Sequence, residues 1–178
     1  MTLHAARSLI LSLAVVAAVS GCASPAGKEG MLAQNVQVAH KHDRTVAVTA
    51  AGGAATGAMD SSNIADADFK TAIETSITQH QVFKSVVQGK DADYELVVTI
   101  VQLDKPIFGL TFTVNLEATW VLVRQSDRSV ALKKSIRSSH TATFDDSAMA
   151  VTRLRLAVEG AARKNIEQGL QELGALSL

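Results

Sequence analysis

From Thr111 to Arg124 apolar and polar side chains alternate: Phe112, Val114, Leu116, Ala118, Trp120 and Leu122 fall on one side, and Thr111, Thr113, Asn115, Glu117 and Thr119 on the other. Successive strand residues point to opposite faces, so this period of two predicts a long strand with one face in a core and the other in water. The segments around it follow from the same rule. Upstream, Tyr94–Leu103 places Leu96, Val98 and Ile100 one way and Val97, Val101 and Leu103 the other, which predicts a central strand covered at least in part on both faces. Downstream, Ser126-Asp127-Arg128-Ser129 is a polar hairpin turn. Val130 to about Phe144 then carries Lys133, Lys134 and Arg137, charges suited to an edge strand. Residues 36–50 hold a first strand, best defined over Thr45–Ala50, and Val82–Val87 a short one.

Two segments have helical periodicity instead. Over about Ile64–His80, Phe69, Ala72, Ile73, Ser76 and Ile77 recur at spacings of three and four, with Ser62 or Asn63 as cap and Asp66 and Asp68 in the first turn. Over about Ala148–Leu173, Val151, Leu154, Val158, Ala162, Ile166, Leu170 and Leu173 line one side, Asp145 and Asp146 precede the helix, and Gly174 is its stop. The order β-α-β-β-β-β-α predicts an α+β fold: a mostly antiparallel sheet of four to five strands, with two amphipathic helices packed on one face. Residues 36–178 form its single domain.

The beginning of the chain has another logic. His4 and Arg7 precede an apolar run from Leu9 to Val19, about eleven residues and too short to span a bilayer, which takes roughly 20. Val19-Ser20-Gly21-Cys22 follows, small residues before a cysteine in the manner of a lipoprotein signal. Residues 1–21 then read as a signal peptide and Cys22 as the lipidated first residue, anchored in a membrane. Cleavage near Ala17 or Ala18 would instead leave Cys22, the sole cysteine, as a free thiol. Residues 22–35 are small and polar, as a flexible tether would be. Ala23, not Asp, follows Cys22, which favours the outer membrane and a periplasm-facing domain.

Charge and motifs narrow the chemistry. Without Arg7, Lys+Arg falls one short of the 17 Asp+Glu, so there is no basic excess for nucleic acid. Ala51–Gly57 is glycine-rich but has neither phosphate-loop spacing; it predicts a connection. With Cys22 lipidated and no Gly-x-Ser-x-Gly elbow, no catalytic nucleophile stands out, and no cofactor is expected. His40 and His42 form a pair without a third ligand, so no metal site is expected either. Two places remain as candidate partner contacts. Arg155 and Glu159 lie four apart within the apolar stripe of the second helix, as an internal ion pair or a polar contact site. Ile107-Phe108 lies in a proline-containing turn, exposed for a partner or membrane, or folded back onto the core.

Three patches carry a resemblance: Ala50–Gly53 with Ile64–Phe69; Leu103–Leu110; and Ala142–Phe144 with Arg153–Arg163. Together they resemble a family of small, uncharacterised bacterial outer-membrane lipoproteins, some labelled UDP-N-acetylglucosamine acyltransferase. The element order, with Ala92-Asp93-Tyr94 leading into a strand, also looks like the N-terminal domains of envelope lipoproteins and assembly factors. Those resemblances imply a non-catalytic lipoprotein that binds a protein or lipid partner in envelope assembly or transport. An enzyme acting on envelope glycolipid or nucleotide sugar, and a subunit of a larger secretion or assembly complex, are the alternatives.

Overall fold

The structure is a computed structural model that describes residues 24–57 and 60–178. The expected signal peptide and Cys22 lie outside the described residues. Five strands and two long helices make up the domain: β1 (His42–Ala51), α1 (Asp66–His80), β2 (Phe83–Val86), β3 (Tyr94–Asp104), β4 (Phe112–Arg124), β5 (Val130–Ala142) and α2 (Ala150–Gly174). The fold is α+β in the expected element order, and its sheet is mixed. The strands lie in the order β2-β1-β3-β4-β5. β1 pairs in parallel with both β2 and β3, while β3–β4 and β4–β5 are antiparallel. The parallel pairs arise because α1 carries the chain from the end of β1 back to its start, and β3 then joins the opposite side of β1.

The alternation in β4 is realised residue by residue. Phe112, Val114, Leu116, Ala118, Trp120 and Leu122 are buried and their neighbours are not. They meet Tyr94, Leu96, Val98 and Ile100 of β3 on the same face, covered by Phe69, Ala72, Ile73 and Ile77 of α1 and by Ala157, Val158, Ala161, Ala162, Ile166, Leu170 and Leu173 of α2. Trp120 is the largest buried side chain. Its indole N–H donates to Asn165 Oδ1 at 2.9 Å, and Gly169 leaves room for the ring, since a Cβ there would stand 2.4 Å from it.

The second face of β3 is covered only in part: Val97 is half-buried, whereas Val101, unpaired where the register slips between Ile100 and Gln102, is exposed. Several expectations are corrected. The strand expected to reach Phe144 stops at Ala142. α1 begins at Asp66 behind Ala65 with no side-chain cap, because Asn63 is occupied elsewhere. α2 begins at Ala150 with no acid in its first turn; Asp146 instead closes a turn on Thr143, accepting its N–H at 2.7 Å and its hydroxyl at 3.1 Å. Residues 24–35, expected as a tether, are packed. Lys28–Met31 is a 3-10 turn, and Ala26, Met31 and Ala33 belong to the core. Ser76 Oγ accepts the Ala33 N–H at 3.0 Å, and Glu167 accepts that of Gln34 at 3.0 Å.

Candidate functional site

Strand directions sort the loops. The β1–α1 loop, the β3–β4 turn and the β5–α2 loop all lie at one end of the sheet, and the β4–β5 turn at the other. At the first end the chain leaves β3 at Asp104 and returns through Lys105-Pro106-Ile107-Phe108-Gly109-Leu110. Ile107, Phe108 and Leu110 are 95%, 86% and 79% exposed. Of the two readings of Ile107-Phe108, the structure has the exposed one. Phe144 and Met149 of the β5–α2 loop are exposed at the same end. A shallow pocket of about 370 Å³ separates the turn from α2, lined by Ser61, Lys105, Ile107 and Leu154 among others.

The tip is apolar but its base is stapled. Lys105 Nζ donates to Ser62 O at 2.8 Å and to Asn63 Oδ1; burial there pushes the amine below its usual range, against the pull of Asp60. The β1–α1 loop in turn holds the amino-terminal segment. Ser62 Oγ donates to Ser24 O at 2.5 Å, and the Ala26 N–H to Asn63 O at 3.3 Å. Ser24 thus sits beside the base of the apolar turn. Within the loop, Asp66 accepts the Gly53 N–H at 2.7 Å. Gly52 has φ 84°, and a Cβ there would stand 2.2 Å from Ile100 O, so no other residue fits without strain.

Arg155 and Glu159 pair as the spacing predicts, with Nη1 to Oε1 at 3.0 Å. The same Oε1 accepts the Gly27 N–H at 2.8 Å, and a Cβ at Gly30 would fall 2.3 Å from Oε2. Glu159 is 4% exposed. Its carboxylate is a peg for the amino-terminal segment, while Arg155 remains about a third exposed. The structure thus places Glu159 under residues 27–30 and Ile107 and Phe108 at the bare tip.

Sequence reasoning missed Arg153. Only 3% exposed, its guanidinium lies 5.5 Å from the centre of the Phe112 ring and 5.4 Å from that of Phe144. It donates to Ser147 O at 2.7 Å and Ala148 O at 2.9 Å, and its Nε has no partner. Two rings and two carbonyls stand in for a carboxylate; among the described residues none pairs with it. Its place four residues before Ala157, on the buried stripe, was the available signal.

Several other titratable groups are bound into the fold. His42 is buried against Phe83, with Nε2 2.9 Å from Leu173 O, while His40 is exposed. Among the described residues no group of three His, Cys, Asp or Glu is placed to hold a metal. An open pocket of about 570 Å³ is lined by Asp104, Glu117, Arg137 and Lys164 among others. Its charges are mostly taken: Glu117 accepts from Ser135 at 2.6 Å and from Arg137 at 2.8 Å, bonds that hold its carboxyl below the usual range. Gln102 donates to Asp104, and Lys164 to Ser139 O.

No protein-family model and no curated protein matches the sequence. Among solved structures, the fold is similar to that of a Xanthomonas campestris protein described under the DUF330 family. The TM-score is 0.60 at 12% identity, over 80% of this chain and 93% of that one. It is similar to the PelC dodecamer protein of Paraburkholderia phytofirmans, with a TM-score of 0.51 at 14% identity over 80% and 96%. It is also similar to uncharacterized lipoprotein B of Nitrosomonas europaea, with a TM-score of 0.50 at 16% identity over 80% and 89%. This chain has a fold that bacterial lipoproteins share.

Proposed function

We propose that this chain is a non-catalytic lipoprotein of the bacterial cell envelope, lipidated at Cys22 and held at the periplasmic face of the outer membrane. Its domain binds a protein or lipid partner in envelope assembly or transport. The observation that carries the reading is the packing of Ser24–Gly27 immediately after the lipobox-like Val19–Cys22, at the end of the sheet where Ile107, Phe108 and Leu110 stand bare. A likeness to a protein named lipoprotein B supports it. So does the use of polar side chains: His42, Asp66, Lys105 and Glu159 are bound to backbone, and Glu117 to Ser135 and Arg137.

The test is isolation of the tagged protein from gently solubilised envelopes, with mass spectrometry of its amino terminus and of what accompanies it. The expected result is a diacylglyceryl-modified Cys22 as first residue, recovery from the outer-membrane fraction, and a specific envelope protein or lipid in the eluate. An unmodified Cys22 in a soluble protein overturns the anchored reading, and an eluate with neither overturns the binding role.

A further inference from the structure

We infer that the lipid partner of the apolar end is the bilayer itself: Ile107, Phe108 and Leu110 seat in the headgroup–acyl boundary of the membrane that holds Cys22. This rests on the anchored reading above. The first argument is reach. An extended chain covers at most about 3.5 Å per residue, so Cys22 lies within about 7 Å of Ser24 along the backbone. Ser24 is bonded to Ser62, Ser62 and Asn63 to Lys105, and Lys105 opens the turn that carries Ile107 and Phe108. The packing of residues 24–35 removes the slack that a free tether would supply. A lipid attached at Cys22 therefore brings the membrane to the same end of the domain as the bare tip.

The second argument is chemistry. Apolar side chains scattered singly over a surface are ordinary, but three within four residues, with Phe144 and Met149 at the same end, form a patch that water disfavours. The tip residues themselves are apolar, and Pro106 beside them has no N–H to offer a partner. Nearby polar groups are engaged within the domain: Lys105 with Ser62, Asp66 with Gly53, Asp146 with Thr143, Asp60 with Gly57, and Arg153 beneath Phe144. An apolar wedge whose neighbouring polar groups are mostly bonded already suits an interface that takes side chains to a depth of about 5–10 Å and asks for no hydrogen-bond register. Asp60, Asp104, Asp145 and Asp146 outnumber Lys105 and Arg153 at this end, which suits a zwitterionic surface.

The experiment uses the full-length lipidated protein, whose sole native cysteine is capped by the lipid. Phe108→Cys, Leu110→Cys and, in the far β4–β5 turn, Ser126→Cys each receive one environment-sensitive fluorophore. The proteins are reconstituted into vesicles of phosphatidylethanolamine and phosphatidylcholine containing acyl-chain spin-labelled lipid. The expected result is at least twofold quenching at 108 and 110 and less than a tenth lost at 126. Absent quenching at 108 and 110, or equal quenching at 126, overturns the inference. In intact envelopes a photocrosslinker at 108 is expected to capture phospholipid; capture of a protein there overturns it in favour of a protein-docking tip. The intact mass of each sample separates the two failures. An acylated Cys22 with an unquenched tip sinks the seating alone, whereas an unmodified Cys22 sinks both readings.

Discussion

At the β4–β5 turn, polar groups satisfy one another. Asp127 accepts the Ser129 N–H at 3.0 Å and its hydroxyl at 2.6 Å, bonds that hold its carboxyl below the usual range, and Arg124 pairs with it at 3.3 Å. Arg128, at φ 59°, reaches Gln125 and Glu95. At the other end of the sheet the β3–β4 turn has a hydrogen-bonded base and an apolar tip. Both turns join antiparallel neighbours, so pairing does not demand the difference. Water selects the first kind of turn, since its polar groups bond to one another or to water, whereas bare apolar ones are disfavoured. The second kind persists where another phase or another molecule takes the apolar side chains.

The contrast is broken first at Glu159, the peg that keeps Ser24–Gly27 at the apolar end. Glu159→Ala leaves the Gly27 N–H and the Arg155 guanidinium without their shared acceptor. A hydrogen bond to a charged group is worth about 1.5–3 kcal/mol when buried. With Arg155 a third exposed, a loss of about 2 kcal/mol is expected in urea unfolding, and a smaller loss for Glu159→Gln, which keeps an acceptor. Trypsin is expected to cut after Lys28 faster in the Ala variant. Unchanged unfolding and cleavage would show that this contact does not hold the amino terminus to the apolar end.

How much of this was legible depends on whether the cause was local. The β4 alternation, the Phe69–Ile77 stripe and the lysines of β5 each state their surroundings within a few residues, and the structure agrees with all three. The parallel pairing of β1 was not legible, because the pattern of Thr45–Ala50 says which face is buried but not which strand lies alongside. Ala26, Met31 and Ala33 have no period; they are core residues only because α1 and α2 already provide a surface to lie on. At the site, the spacing of Arg155 and Glu159 announced their pairing, but nothing nearby in sequence announced Gly27, 132 residues away. Arg153 was overlooked because no residue of opposite charge lies three or four positions away to announce it, and its neutralisers are ring faces and carbonyls.

A second, smaller effect is set by pH. His140 packs against Gly160, where a Cβ would stand 2.0 Å from the ring. Burial, then Lys164 and Arg163, pushes its pKa below the ordinary 6.5, with Asp146 pulling the other way. The folded state thus binds the proton less tightly than the unfolded one. Stability is greatest above about pH 6.5 and falls as the pH drops through that value towards the folded pKa. The carboxyls of Asp127, Asp146 and Glu117 are lowered in the same sense and likewise stabilise the fold above their unfolded values, but those values are more acidic, so their contribution is lost only in stronger acid. Between pH 7.5 and 5.5 the wild type is expected to lose thermal stability and His140→Gln to lose less. Equal slopes would assign the pH sensitivity elsewhere.

The smallest expected effect on stability is at the tip, and it sharpens the contrast most. Ile107→Ser, Phe108→Ser and Leu110→Ser together remove side chains that are at least 79% exposed, so the folded state loses almost no buried area. The unfolding free energy is expected to change by no more than about 0.5 kcal/mol, as for surface substitutions generally. Binding of a hydrophobic dye to the purified protein should fall at the same time. At the far turn, Asp127→Ala removes bonds the turn makes with itself and is expected to loosen Ser126–Ser129 in hydrogen exchange, with no change in dye binding. A marked destabilisation by the triple change would mean that Ile107 closes over Leu154 and that the turn belongs to the core. Retained stability with lost dye binding would leave the tip with no work inside the domain, and its apolar character would then have its cause outside.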